Sequence, residues 1–275
     1  MLHLLLATLI TCLSLHCNPC APPTDTIDPA VDQALREIEA SGLDLHSFTA
    51  DIAYRKDEAL LERSEIRTGR VVYERAPDTP PVLGIRFNAR VLGDRLEHVR
   101  KRIVFQDGWL TEIDEPRQLT IKRQLVHDGE TMDPMRLGGP FPLPVGQPRA
   151  SVLQRFTVAP VAPPTHGMFK RIANTPGLIG LRLVPRANTY ESEEWTHIDL
   201  WYDPATWLPV GVEASEINGD VKRIRLTDTA RNAPLARLDR GVLVADSPMG
   251  DWTVDVRPLP TRPDAPEPSP TENAP

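Results

Sequence analysis

The side chains able to do chemistry are few and scattered. All three cysteines, Cys12, Cys17 and Cys20, fall within the first twenty residues. Cys17-Asn18-Pro19-Cys20 has the spacing of a redox or metal pair, but no second cysteine pair and no strand-helix unit accompanies it. The other chemistry open to this segment is lipid attachment after cleavage, with Cys17 or Cys20 as the modified residue. His46, His98, His127, His166 and His197 stand singly. No two share a spacing that would set both imidazoles on one helical face, and no cysteine lies among them, so no metal centre is expected. His197 reads as a sheet side chain and His127-Asp128-Gly129 as a turn. A hydrolase needs a nucleophile held beside a base, yet there is no Gly-x-Ser-x-Gly elbow. Glu191, Glu193 and Glu194 read as a solvated strand entrance before Trp195, and a glycosidase pair depends on a separation in space that sequence does not supply. Walker and dinucleotide glycine patterns are missing. The weight therefore falls on binding: the expectation is a protein that is not an enzyme and uses no cofactor.

Charge narrows what is bound. The formal net charge is −7, and no basic cluster breaks the acidic balance. That argues against nucleic acid and against tight adsorption to anionic headgroups. Acyl chains are not excluded, because their binding is driven by apolar area. The ends are set apart in composition. Residues 1–20 carry an apolar run, Leu2 to Ile10, that suits a secretory leader or a lipoprotein-type leader and is too short to span a bilayer comfortably. Residues 21–28 read as a linker, 29–258 as one large domain, and 259–275 as a Pro-rich, disordered tail.

The domain must be mostly β. Asp28-Pro29 starts an amphipathic helix with Val31, Ala34, Leu35 and Ile38 on one face, and Gly42 is expected to end it. Whether this helix is a lid or a plain core element stays open. Strand patterns follow at Phe48–Tyr54, Ile66–Tyr73, Ile85–Val91, Leu96–Phe105, Trp109–Ile113 and Leu119–Leu125, with Asp107-Gly108 as a hairpin signal. The proline-rich run from Gly138 to Pro148 cannot be a regular strand. It is expected to cross the surface or a cavity mouth, as a docked loop or as a gate, and to lead into a short helix from Ala150 to Phe156. Strands resume at Leu178–Val184, at Ile198–Tyr202, from Leu208 to Val212, across the Asn218-Gly219 turn to Leu226, then at Val242–Ala245 and Trp252–Val256. Ile198, Leu200 and Tyr202 share one face of their strand, and His197, Asp199 and Trp201 the other. Either face could look inward.

In this order the features resemble the LolA-like family of periplasmic outer-membrane lipoprotein carriers. The likeness rests on Phe48 to Ile52, on Gly69 to Pro77 with Ile85-Arg86-Phe87, on Phe105 to Leu110, and on Gly139 to Gln147 followed by Leu153 to Phe156. It continues through Leu181 to Pro185, Ile198 to Pro204 with Leu208-Pro209, and Pro248 to Val254. The resemblance implies a strongly curved, unclosed antiparallel half-barrel, mainly β with a few helices covering the concave face. It also implies a periplasmic or envelope-anchored carrier that shields the acyl chains of a lipoprotein or another lipid between an inner-membrane exporter and an outer-membrane acceptor. Arg75 is the nearest match to the family's basic residue that holds the lid closed. Tyr73, Phe87, Trp109, Phe141, Leu143, Ile198, Leu200 and Tyr202 are the other lipid-binding or lid candidates. The alternative is a sensor or interaction module of the same fold that binds a partner protein, which a filled interior would favour.

Overall fold

The structure is a computed structural model that describes residues 27–77, 79–130, 132–135, 143–165 and 167–260. The leader with Cys17 and Cys20, Phe141 and the tail from residue 261 lie outside the described residues. Helix α1 (Pro29–Leu43) precedes six strands: β1 (Ser47–Glu58), β2 (Arg63–Glu74), β3 (Val82–Leu92), β4 (Arg95–Gln106), β5 (Trp109–Asp114) and β6 (Leu119–Gln124). Helix α2 (Arg149–Arg155) leads straight into β7 (Phe156–Pro160). Then come β8 (Ile179–Pro185), α3 (Glu191–Glu194), β9 (Trp195–Tyr202), β10 (Pro209–Glu216), β11 (Val221–Arg231), α4 (Arg237–Arg240) and β12 (Thr253–Arg257). All twelve strands form one unclosed sheet in the order β12-β6-β5-β4-β3-β2-β1-β11-β10-β9-β8-β7.

Two meanders make up this sheet. Neighbours in sequence pair antiparallel from β1 to β6 and from β7 to β11, and the two blocks join where β1 pairs with β11. The expectation of a wholly antiparallel sheet is corrected at one place. β12 lies parallel to β6, because the chain crosses the outer face after β11 and arrives at the far edge in the same direction as β6. The expected strand at Val242–Ala245 belongs to this crossing. It forms turns there, and buried Val242 packs on Val72 of β2.

Strand alternation separates two cores. The inner face carries Phe48, Val71, Ile85, Ile198, Leu200 and Ile224 among others, packed with Val31, Ala34, Leu35 and Ile38 of α1 and Val152 of α2. α1 forms because Asp28 caps it, accepting the Ala30 N–H at 2.8 Å, with Pro29 in the first turn. Its apolar face then has the half-barrel to bury against. The outer face has smaller covers: Phe169 and Ile172 pack on Trp201, while Leu235 and Val242 pack on Val72. This decides the face left open by the pattern, since Ile198, Leu200 and Tyr202 look inward and Trp201 looks out.

Two further expectations change. Gly42 does not end α1, which runs on to Leu43 with Asp44 as its C-cap. A Cβ on Gly42 would sit 2.3 Å from the Cα of Gly146, so the glycine is there for close approach of helix and proline-rich segment. The acidic run before Trp195 is not a solvated strand entrance. It is the short helix α3, and buried Glu191 accepts a hydrogen bond from the Arg155 guanidinium at 2.7 Å.

Candidate functional site: a rim cleft at the end of the half-barrel

At one end of the sheet, the C-terminus of α1, the start of β1, the β2–β3 connection and the β4–β5 turn converge. Between them opens a cleft of about 820 Å³, lined by Leu43, His46, Arg75, Pro77, Pro80, Pro81, Gly108 and Met132 among others. A second space of about 330 Å³ shares Leu43, Arg75, Pro81 and Met132 with it and reaches inward to Tyr73, Leu45, Met135 and Val145. The lining is mostly apolar, and prolines supply much of it because they need no partner for a missing N–H. Leu43, 78% exposed, stands at the mouth.

Arg75 holds the mouth. Its Nη2 donates to the carbonyls of Gly42 and Leu43, each at 3.0 Å, and its backbone N–H donates to the His46 carbonyl at 2.8 Å. The Gly42 and Leu43 carbonyls belong to the last turn of α1, where the helix dipole favours a cation; the Gly42 carbonyl also accepts the Asp44 and Leu45 backbone N–H groups. Arg75 follows β2 directly and so ties the end of that strand to the end of α1. Below it, partial desolvation raises the carboxyl pKa of Asp133, a residue that stays solvent-exposed, against the opposing pulls of the Met135 N–H and the Arg75 charge. Burial likewise pushes the Tyr73 phenol up to about 12.

Residues 143–148 of the proline-rich segment roof the inner core beside the cleft. Leu143 and Val145 are buried in it. Tyr202 donates its hydroxyl to the Pro144 carbonyl at 2.8 Å, and Gln147 donates its side-chain amide to the carbonyls of Met135 and Val145 at 2.9 and 3.1 Å. α1 is fixed to the helix that follows, because Asp32 pairs with Arg149 of α2, which holds the Asp32 carboxyl below its usual range.

The sequence candidates separate as follows. Arg75 and Tyr73 line the cleft and its inner extension. Leu143, Ile198, Leu200 and Tyr202 lie in the inner core, fully packed. Phe87 is on the inner face, with the Arg67 guanidinium 5.8 Å from its ring centre. Trp109, also a lipid-binding or lid candidate, takes the opposite face. It alternates with Thr111 and Ile113, whose partners Val104 and Arg102 point outward, so it lies on the outer side while Leu110 packs inward. Sequence reading missed Leu43, His46, Pro77, Pro80, Pro81 and Met132. The one signal for them was the density of prolines at 77–81, next to Arg75.

A possible cation site lies on the outer face of β9 and β10, where ligand atoms of His197, Asp199 and Glu213 come within 4.8 Å of one another. Both carboxylates already have cations. Arg182 donates twice to Asp199 at 2.7 Å, and Arg223 donates to Glu213 at 2.6 Å. The group is one stretch of an ion-pair ladder that crosses the strands.

No protein-family model matches the chain, and no curated protein sequence does. Solved structures resemble it in shape at low identity. MucB in the Pseudomonas aeruginosa MucA/MucB complex is 14% identical, over 76% of this chain and 59% of that one, with a TM-score of 0.44. The lipoprotein LppX of Mycobacterium tuberculosis is 11% identical, over 76% and 99%, with a TM-score of 0.41. A putative outer-membrane lipoprotein-sorting domain from Vibrio parahaemolyticus is 12% identical, over 77% and 97%, with a TM-score of 0.31. The chain spans 57% to 64% of the MucB chains it matches.

Proposed function

We propose that this protein binds acyl chains of a lipoprotein or related amphiphile at the rim cleft and carries them without covalent chemistry. The observation that carries the reading is a pair of adjacent, mainly apolar spaces, about 820 and 330 Å³, at a mouth that Arg75 pins to the end of α1. Their size falls in the range that ligand sites occupy. Burying methylenes is worth roughly 0.8 kcal/mol each, so a sixteen-carbon chain gains on the order of 12 kcal/mol before costs are subtracted. Release then requires the last turn of α1 to part from Arg75, whose contacts there are hydrogen bonds to carbonyls, while the Asp32–Arg149 pair and the buried apolar face keep the body of the helix in place. On this reading the protein is exported, works in the periplasm or anchored in the envelope, takes cargo from an inner-membrane exporter and gives it to an outer-membrane acceptor, and is no enzyme.

Native mass spectrometry of the purified full chain tests it. A retained mass that organic extraction identifies as lipid is expected, together with protection of a fluorescent fatty acid from water. An unliganded mass with no protection overturns it. One observation favours a second reading, a sensor or interaction module for a partner protein. The inner face beneath α1 and α2 is filled, with Phe48, Phe156, Leu143 and Ile198 wholly buried, and away from the rim the spaces are smaller, about 390 Å³ beside Val31 and Leu181 and about 220 Å³ over Ile85 and Phe105. Partner capture that added fatty acid leaves unchanged supports that alternative.

A further inference from the structure

The two edges of the sheet are finished differently. β7 ends at Pro160, α1 lies against it, and Val161 turns its N–H back to the Gly180 carbonyl at 3.0 Å. β12 has no such cover. It pairs with β6 on one side, and no described residue pairs with its other side. Val254 and Val256 on this strand are 50% and 54% exposed. A row of unpaired N–H and C=O groups flanked by β-branched side chains is a template for another strand, and natural edges of this kind are usually guarded by unbalanced charge, bulges or prolines. Within the strand the charges balance, Arg257 donating to Asp255 from Nε at 2.9 Å and from Nη2 at 2.6 Å, and the one guard, Pro258, follows the strand, so Val254 and Val256 keep outward N–H groups and Pro258 offers only its carbonyl.

We infer that β12 is a self-recognition edge through which two copies of this chain pair antiparallel, centred on Val256. That register sets Val256 against Val256 and places each Asp255 directly opposite the Arg257 of the other copy, twice over by symmetry. Opposite charges facing across antiparallel strands are favourable, and a two-fold isologous contact is the commonest form of homodimer. A register centred on Asp255 would instead oppose two carboxylates, so the sequence selects the first. Asp255 and Arg257 sit beside Ile121 and Arg123 of β6, whose cross-strand partners Glu112 and Leu110 line the inner side, whereas Val254 and Val256 sit on the outer side. The two-fold axis runs through the sheet, so the inner faces of both copies open the same way and the dimer is one trough of doubled width. A strand of 5 residues makes a small contact, and the dimer is therefore weak and concentration-dependent.

Sedimentation equilibrium of the full chain tests this, from about 10 µM to 1 mM, the range in which such small interfaces assemble. The weight-average mass is expected to climb from 30.6 kDa towards twice that value. Asp255→Arg and Arg257→Asp each place like charges in opposition and are expected to raise the dissociation constant about tenfold or more. The double swap, Asp255→Arg with Arg257→Asp, restores the complementarity and the wild-type constant. A wild-type mass fixed at that of the monomer overturns the proposal. So does a dimer that neither single charge reversal weakens, or a double swap that stays as weak as the singles while its circular dichroism matches the wild type.

Discussion

Replacing Gly42 by alanine sets two physical effects against each other, and their sizes decide the outcome. Gly42 lies inside α1, where alanine is better than glycine by roughly 0.5–1 kcal/mol. Against that, the new Cβ would lie 2.3 Å from the Cα of Gly146, with the Gly146 carbonyl oxygen at 3.1 Å. This is more than about 1 Å inside carbon–carbon contact, and the obstacle is backbone, which has no rotamer to escape into. Overpacking of that kind costs about 1–3 kcal/mol. Gly146 cannot yield easily, because it holds φ +63° and its neighbours are pinned by the Tyr202–Pro144 and Gln147–Val145 bonds. The net expectation is a loss of about 1–2 kcal/mol, seen as a fall in melting temperature of about 2–8 °C. Differential scanning calorimetry and urea titration read the loss. Ala40→Gly at an exposed position of the same helix measures the helix-propensity contribution alone, with an expected loss of about 0.5–1 kcal/mol. A Gly42→Ala protein as stable as wild type, or more so, would refute the claimed contact between α1 and the proline-rich segment.

Arg75→Met leaves the carbonyls of Gly42 and Leu43 without their cation, and amide exchange across the last turn of α1 should quicken about three- to thirtyfold, matching roughly 0.7–2 kcal/mol. Unchanged protection there would mean that Arg75 does not hold the helix end. Arg155→Met strands the buried carboxylate of Glu191 and should cost about 3–5 kcal/mol in urea denaturation, while adding Glu191→Gln recovers much of it. Equal losses in the two proteins would count against the ion-pair account. Asp133 is solvent-exposed, so the upward pull on its carboxyl is worth little: Asp133→Asn should gain less than about 0.5 kcal/mol at pH 7, and the gain should shrink as pH falls, because the native state takes up a proton more readily than the unfolded chain. A loss of stability at pH 7 would refute that direction. Leu43→Asp, at an exposed position, should change stability by less than about 0.5 kcal/mol yet abolish protection of a fluorescent fatty acid, and retained protection would move the binding site away from the rim.

Local elements were legible because their causes are local. Asp28-Pro29 with a 3.6-residue apolar period gives α1, and alternation with Asp107-Gly108 and Asn218-Gly219 turns gives neighbouring antiparallel strands. What escaped depends on partners far away in sequence. Ile198 and Trp201 lie on opposite faces of β9, yet both are buried, so no polar side revealed which face looks inward. The parallel seat of β12 comes from a crossing over the outer face, and its strand of two valines and two charges carries no mark of direction. Gly42 resembles a helix stop by composition, and only the presence of Gly146 shows that the space is the reason. The cleft was nearly invisible because turns from four places in the chain build it, and turn residues such as Pro80 or Gly129 look like ordinary loop residues until they converge. Arg75 was singled out only through the family resemblance, as the basic residue ahead of a proline; Leu43 and Met132 carried no comparable signal.

The seam between β1 and β11 also has a kinetic consequence. Each meander can zip by short hairpins, but Phe48 must find Arg231 and Tyr54 must find Ile224 across most of the chain. Loop closure over such separations is slow, and folding rates fall as contacts become less local. The seam is therefore expected to form late, after nearly the whole domain has left the ribosome. Until then each half offers an open apolar sheet to solvent, so chain shortening that removes β11 should yield aggregation and not a smaller folded unit.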